Sequence, residues 1–409
     1  MQVIRHPIFP PAETAYPPLN TYSSILCCSG SCGRIGAANL HMTASTNVSS
    51  NSAIVRGSGT HTWLFEVVAG ISNLTPDFVG TFSQRTLRFY LYFETLPSAD
   101  ALICFASNTS GFPNYHGIAF KQSDSKLYTC LYSTFGGSFS FGATGVSVTT
   151  GVWYRIDIKI SDDTVNVVVD AKVDGVALGQ KSNATITGTL ASLTFGHVTN
   201  RTLKYRIADI IITSAVADYP IGAGIVRRFV LTSDGTHNTG AAGSFIVGAA
   251  GANITDATTN SYLLVDDTPL DDTTPDVDDY ITQTNNTGGG ALYVEHSFDS
   301  PDAFTPVNNP RGVDCIVAYH AAGTGIGNST FKINDNGTES NILAFSGAGQ
   351  TTIRYARNHF ANPPSGLGGW KLTGFNGNFN LLKHRFGYST DGDPDQYFDC
   401  VMMEAEFAE

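Results

Sequence analysis

Helical periodicity is missing from this chain of 409 residues: apolar positions nowhere keep the three-and-four spacing of an amphipathic helix for more than about ten residues. Without strands alternating with helices, a parallel sheet wound from βαβ units is not expected. Nor is a phosphate-binding loop, which needs a strand before it and a helix after it. Long apolar runs are missing too, and no stretch reaches the roughly 18 residues that a membrane-spanning helix needs. Charge is sparse. Asp, Glu, Lys and Arg make up 14% of the chain, against roughly 25% in ordinary soluble domains, so Ser, Thr, Asn and Gly must cover much of the surface. The charge that exists forms no basic stripe: residues 1–225 hold 14 Lys and Arg against 13 Asp and Glu, and residues 226–409 hold 9 against 22, giving halves of +1 and −13. Nucleic acid is therefore not an expected partner. The seven cysteines, Cys27, Cys28, Cys32, Cys104, Cys130, Cys315 and Cys400, lack the regular spacing of a disulfide framework and are expected to be mostly reduced thiols. The opening MQVIRHPIFPPAETAYPP places prolines where a secretory signal has its apolar stretch, which points to synthesis in the cytoplasm and no membrane partner.

What is present is a succession of short β-type segments between glycine-rich turns. Residues 1–22 are proline-rich and aperiodic, and read as an extended arm. Thr86–Phe93 alternates in part and is rich in aromatics, Ala101–Phe105 is a short apolar run, and Trp153-Tyr-Arg-Ile-Asp-Ile-Lys-Ile160 alternates almost strictly. Val165–Asp170 follows and ends near Asp174-Gly175, a strong type I′ hairpin signal. Ile207–Ile212 is a further strand. The segment Ala217-Asp-Tyr-Pro-Ile-Gly-Ala-Gly224 breaks any strand, and Val226–Leu231 opens a second series with β-type pieces at 291–296, 315–320, 342–345, 352–355 and 401–407. The expected fold is all-β: two antiparallel β-sandwich domains in tandem, residues 23–217 and 226–409, joined by a linker at 218–225 and preceded by the arm at 1–22.

The order Phe93-Glu-Thr-Leu-Pro-Ser98, Gly151-Val-Trp-Tyr-Arg155, Val173-Asp-Gly175 and Ala208-Asp-Ile-Ile211 resembles the laminin-G-like or concanavalin-A-like jelly-roll domain. Asp218-Tyr-Pro-Ile-Gly222 with Arg227–Leu231, then Asp279-Tyr-Ile281, Gly369-Trp370 and Arg385-Phe-Gly-Tyr-Ser389, are similar to tailed-phage structural proteins that carry this domain. The resemblance spans roughly residues 60–409 and rests on the order of short motifs. It implies a jelly-roll sandwich in a virion protein. The calcium-binding Asp and Asn of the family are not matched, so its metal and sugar binding do not carry over.

Few constellations carry chemistry. Asp266, Asp267, Asp271 and Asp272, continued by Asp276, Asp278 and Asp279, could hold calcium through hard carboxylate oxygens, or form a solvated loop. Asp391, Asp393 and Asp395 read as a tight turn. Glu404 and Glu406 lie two apart on one strand, but the Glu-X-Asp-X-X-Glu strand of concanavalin-A-like glucanases is absent and no catalytic residue is expected. The ten histidines are dispersed, and neither they nor the Cys27, Cys28, Cys32 group suggest a zinc site. Trp63 and Trp153 begin or sit in alternating strands and are expected in the core, whereas Trp370 follows a loose Pro-Gly segment and is the candidate ligand contact. The expected function is structural: a capsid decoration, head fibre or minor tail component held by contacts with other virion proteins, as a homo-oligomer that could be a trimer, with no cofactor beyond calcium. The alternative is a carbohydrate-binding module that recognises a host surface glycan.

Overall fold

The computed structural model describes residues 25–27, 33–35, 42–45, 47–56, 62–68, 70–76, 82–108, 114–133, 137–162, 166–183, 190–199, 201–213, 218–239, 245–247, 251–265, 280–284, 292–299, 310–321, 328–335, 338–346, 354–360, 382–388 and 396–408. The expected all-β class of antiparallel sheets is found. The described residues are almost entirely strands, paired antiparallel with the exception of Gly33–Ile35 beside Met42–Ala44, and they form three sheets. The arm at 1–22 lies outside the described residues.

Sheet one runs, in spatial order, Val176–Ala177, Val167–Val173, Trp153–Asp162, Gln84–Thr95, Leu203–Thr213, Thr62–Val67 and Val48–Asn51. Sheet two runs Ser138–Phe141, Lys126–Ser133, Asn114–Lys121, Ala101–Asn108, Leu190–His197, Ser72–Pro76, Met42–Ala44 and Gly33–Ile35. The two pack face to face because alternate residues of each strand are apolar. Leu87, Phe89, Leu91 and Phe93 of one strand and Ile156, Ile158 and Ile160 of the next enter the same buried cluster as Ile103, Ile118, Phe120, Leu193 and Phe195 from sheet two. Phe89 meets Phe195 edge-on with ring centroids 5.1 Å apart, and Phe93 lies 5.7 Å from Phe120. Both are contacts between sheets. The hairpin after Val167–Val173 turns at Asp174 and Gly175 with φ of 49° and 83°, the left-handed pair that a type I′ turn requires.

Sheet three is built from Gly224–Asp234 onward. That strand changes partner along its length, pairing with Gln396–Ala408 over its first half and, from Val230 on and across a bulge at Leu231/Ser233, with Val294–Asp299 over its second. Pro310–Ala321 and Arg354–Phe360 extend the first side, while Leu382–Tyr388, Asn328–Asp335 and Thr338–Ser346 extend the other.

Candidate functional site

The parity that sends Phe89 and Ile158 into the core sends their neighbours to the outer face of sheet one. Arg88, Tyr90, Tyr92 and Glu94 share that face with Trp153, Arg155 and Asp157, since the register sets Trp153 opposite Tyr92, Arg155 opposite Tyr90 and Asp157 opposite Arg88. Lys204 and Arg206 complete it from the next strand, where Arg206 stands opposite both Tyr92 and Leu64. One end of this face is sealed and the other is open.

The sealed end is a junction with sheet three. The Arg88 side chain, fully buried, donates from Nη1 to Glu406 Oε1 at 2.8 Å, and Arg311 Nε donates to Glu406 Oε2 at 2.5 Å. Arg311 Nη1 also reaches the Ile221 carbonyl at 3.0 Å. Asp209, placed by a bulge at φ 49°, accepts from Arg56 Nη1 at 2.6 Å and from the Val226 N–H at 3.2 Å, while Asp157 accepts from Arg155 Nε at 2.9 Å and from the Gly222 N–H at 3.0 Å. Arg56 lies 3.3 Å above the Tyr90 ring. Gly224 passes so close that a methyl group there would collide with Glu406 Oε1 and Arg88 Nη1, so only glycine fits. Charges buried this way are tolerated only because each is matched. Glu406, paired by sequence with Glu404 as two carboxylates on one strand, is thus a structural clasp without access to a ligand. Glu404 stands opposite Arg228 and Asp314 in the strand register.

The open end is different. Trp153 and Tyr92, both half-buried, pack with centroids 5.1 Å apart and planes tilted 45°. Next in the row, Arg206 donates from Nε to Glu94 Oε1 at 2.6 Å and from Nη1 to Asn51 Oδ1 at 2.7 Å and Thr62 Oγ1 at 3.0 Å. Lys204 Nζ then bridges Glu66 Oε1 at 2.7 Å and Glu94 Oε2 at 3.6 Å. The Glu66 hydrogen bond pushes the Lys204 ammonium above its ordinary value. Among the described residues, Arg206 Nη2, the Tyr92 hydroxyl and Trp153 Nε1 have no protein partner, and none of the three is sealed from solvent. Donors, acceptors and an aromatic surface therefore converge on one strip. The two carboxylates each accept a charge-assisted hydrogen bond, Glu66 from Lys204 and Glu94 from Arg206.

This strip corrects one expectation. Trp153 is not a core residue: it shares parity with Arg155 and Asp157, and the inward positions belong to Ile156, Ile158 and Ile160. Trp63 is in the core, 1% exposed. Asp266, Asp267, Asp271, Asp272, Asp276, Asp278, Asp279, Trp370, Asp391, Asp393 and Asp395 lie outside the described residues. Cys104 and Cys130 are free, fully buried thiols whose acidity burial weakens.

The histidines are less dispersed than their spacing suggests. His237 and His296 meet edge-on, with centroids 5.8 Å apart, around Ser261. Ser261 Oγ donates to Asp234 Oδ1 at 2.7 Å and lies 2.9 Å from His296 Nε2 and 3.3 Å from His237 Nε2. Asp234, an acceptor only, holds the Ser261 hydroxyl between itself and the two imidazoles. Among the described residues no group of three His, Cys, Asp or Glu is arranged to hold a metal.

No protein-family model matches the chain, and no curated protein does. Solved structures resemble it in part. Cellulose induced protein Cip1 aligns over 46% of this chain and 91% of its own, at 12% identity and a TM-score of 0.32. The carbohydrate binding module CBM66 from Bacillus subtilis aligns over 44% and 98%, at 9% identity and a TM-score of 0.28. A Trypanosoma rangeli sialidase aligns over 42% of this chain and 30% of its own length, at 12% identity and a TM-score of 0.30. The likeness is one of β-sandwich outline.

Proposed function

We propose that this chain is a carbohydrate-binding β-sandwich protein and that the open strip on sheet one is its binding face. The observation that carries this is the half-exposed Trp153–Tyr92 pair lying in register with Arg206, beside the Glu94–Lys204–Glu66 ladder. A sugar ring has an apolar C–H face and a rim of hydroxyls. An indole and a phenol supply the apolar surface and one polar tip each, and planar guanidinium and carboxylate groups fix the rim. The rigid sheet holds these groups in place before the ligand arrives, which lowers the ordering cost of binding. We further propose that the chain binds without cutting, since the carboxylates are both held by cations. Such a face also suits the receptor-binding part of a phage tail or fibre, and mass spectrometry of purified particles tests that setting.

The direct test is a glycan array followed by calorimetry. Trp153→Ala is expected to weaken binding by about tenfold or more, the scale of a lost aromatic contact of 1–2 kcal/mol. Far-UV circular dichroism should stay unchanged, because Trp153 lies outside the core. Wild-type affinity in both Trp153→Ala and Arg206→Ala would remove the strip from consideration, and release of sugar from a bound polysaccharide would overturn the non-catalytic reading.

A further inference from the structure

We infer that the ligand of the sheet-one strip is an uncharged glycan, with Glu66 and Glu94 acting as the filter against uronates, sulfated sugars and other acidic saccharides; this rests on the carbohydrate-binding reading above. The strip holds two cations and two carboxylates, and the ion pairs cancel them: Lys204 is shared by Glu66 and Glu94, and Arg206 by Glu94, Asn51 and Thr62. No excess positive charge is left to attract an anion. Arg206 is 3% exposed, so its guanidinium is set into the sheet and presents one free nitrogen, Nη2, rather than the two-pronged fork that captures a carboxylate or sulfate. The group that projects furthest is anionic instead: the Glu66 side chain is 53% exposed, against 32% for Lys204 and 19% for Glu94 behind it.

A hydroxyl rim meets these groups without conflict. Hydroxyls donate to the spare carboxylate lone pairs of Glu66 and Glu94, and they accept from Arg206 Nη2, Trp153 Nε1 and the Tyr92 hydroxyl. An acidic sugar lying on the same aromatic pair would bring its own oxygens against Glu66 and Glu94, and like charges at that range repel. Recognition of this kind selects by repulsion as much as by attraction.

The experiment is calorimetry on the full chain with neutral oligosaccharides (cello-, xylo-, malto- and chito-series) and with acidic ones (oligogalacturonate, alginate and sialyllactose), each at low and high sodium chloride. Expected are binding by at least one neutral series, acidic ligands about tenfold weaker or worse, and neutral affinity that does not move with salt. In Glu94→Gln the ratio of acidic to neutral affinity should rise about tenfold, because one charge of the filter is gone while an oxygen remains to accept from Arg206. Tighter binding of any acidic ligand than of every neutral one, or an affinity ratio that Glu94→Gln leaves in place, overturns the inference while leaving the carbohydrate reading standing. Silence from both groups of ligands sinks the carbohydrate reading and this inference together.

Discussion

At the scale of single residues, two carboxylates that meet the outer face of sheet one, Glu406 from sheet three and Glu66 of sheet one itself, have opposite roles, and burial decides which. Glu406 is sealed between Arg88 and Arg311, so deleting its carboxylate strands two guanidinium groups away from water. Glu406→Ala is expected to destabilise the fold by about 3–5 kcal/mol, the range for breaking a buried pair from one side, seen as a lowered urea midpoint. Glu66→Ala, acting on a solvent-screened pair, should leave the midpoint nearly unmoved. Equal losses in both variants would show that the clasp contributes no more than an ordinary surface pair. Glu406 illustrates how far sequence alone reaches: its place near the end of a β-type run was legible, whereas its partners lie 318 and 95 residues away and no local pattern announces them.

At the scale of strands, buried histidines make the sheets sensitive to acid. His197 Nδ1 accepts from the Leu102 N–H at 2.9 Å, joining Leu190–His197 to Ala101–Asn108, and His237 Nδ1 accepts from the Glu295 N–H at 3.1 Å. Both rings must be neutral at Nδ1 to do so. Burial lowers His116 and His197 to about 4, and it lowers His237 as well, against the pull of Asp234, Glu295 and Asp256. In the unfolded chain all three titrate near 6.5. Between those values the unfolded state binds more protons, so stability is complete above about pH 6.5 and is lost progressively as the pH falls towards 4. His116 and His197 should each account for about 2–3 kcal/mol of that loss, measured by urea melts from pH 7.5 to 4. His197→Gln should flatten the slope, and a flat wild-type profile would rule the effect out. The strands themselves were readable from alternation, including both faces of Trp153–Ile160. Trp153 is expected in the core because it begins an alternating strand, although its parity with Arg155 and Asp157 puts it on the outer face. Glu66, Glu94, Lys204 and Arg206 form no motif, because only the register of Thr62–Val67, Gln84–Thr95 and Leu203–Thr213 brings them together.

At the scale of the whole molecule, the junction ties the sandwich to sheet three through charges that neither part can hold alone. The boundaries expected at 217 and 226 cut through it: a piece ending at residue 217 would keep Arg88, Asp157 and Asp209 but lose Glu406, Arg311 and the backbone of 221–226 that covers them. Arg88 Nη1 would then face water on a sheet shaped to exclude it, and Gly224 would no longer fill the space beside Tyr90, whose hydroxyl accepts from the Gly224 N–H at 3.2 Å. We therefore propose that the two parts unfold together. The full chain should give one calorimetric transition with calorimetric and van't Hoff enthalpies in agreement, and residues 23–217 alone should melt several degrees lower. Glu406→Ala, by loosening the clasp without removing either part, should broaden or split the single transition. Two separate transitions in the wild-type chain, or a 23–217 piece as stable as the whole, would mean that the junction merely touches where it is argued to couple.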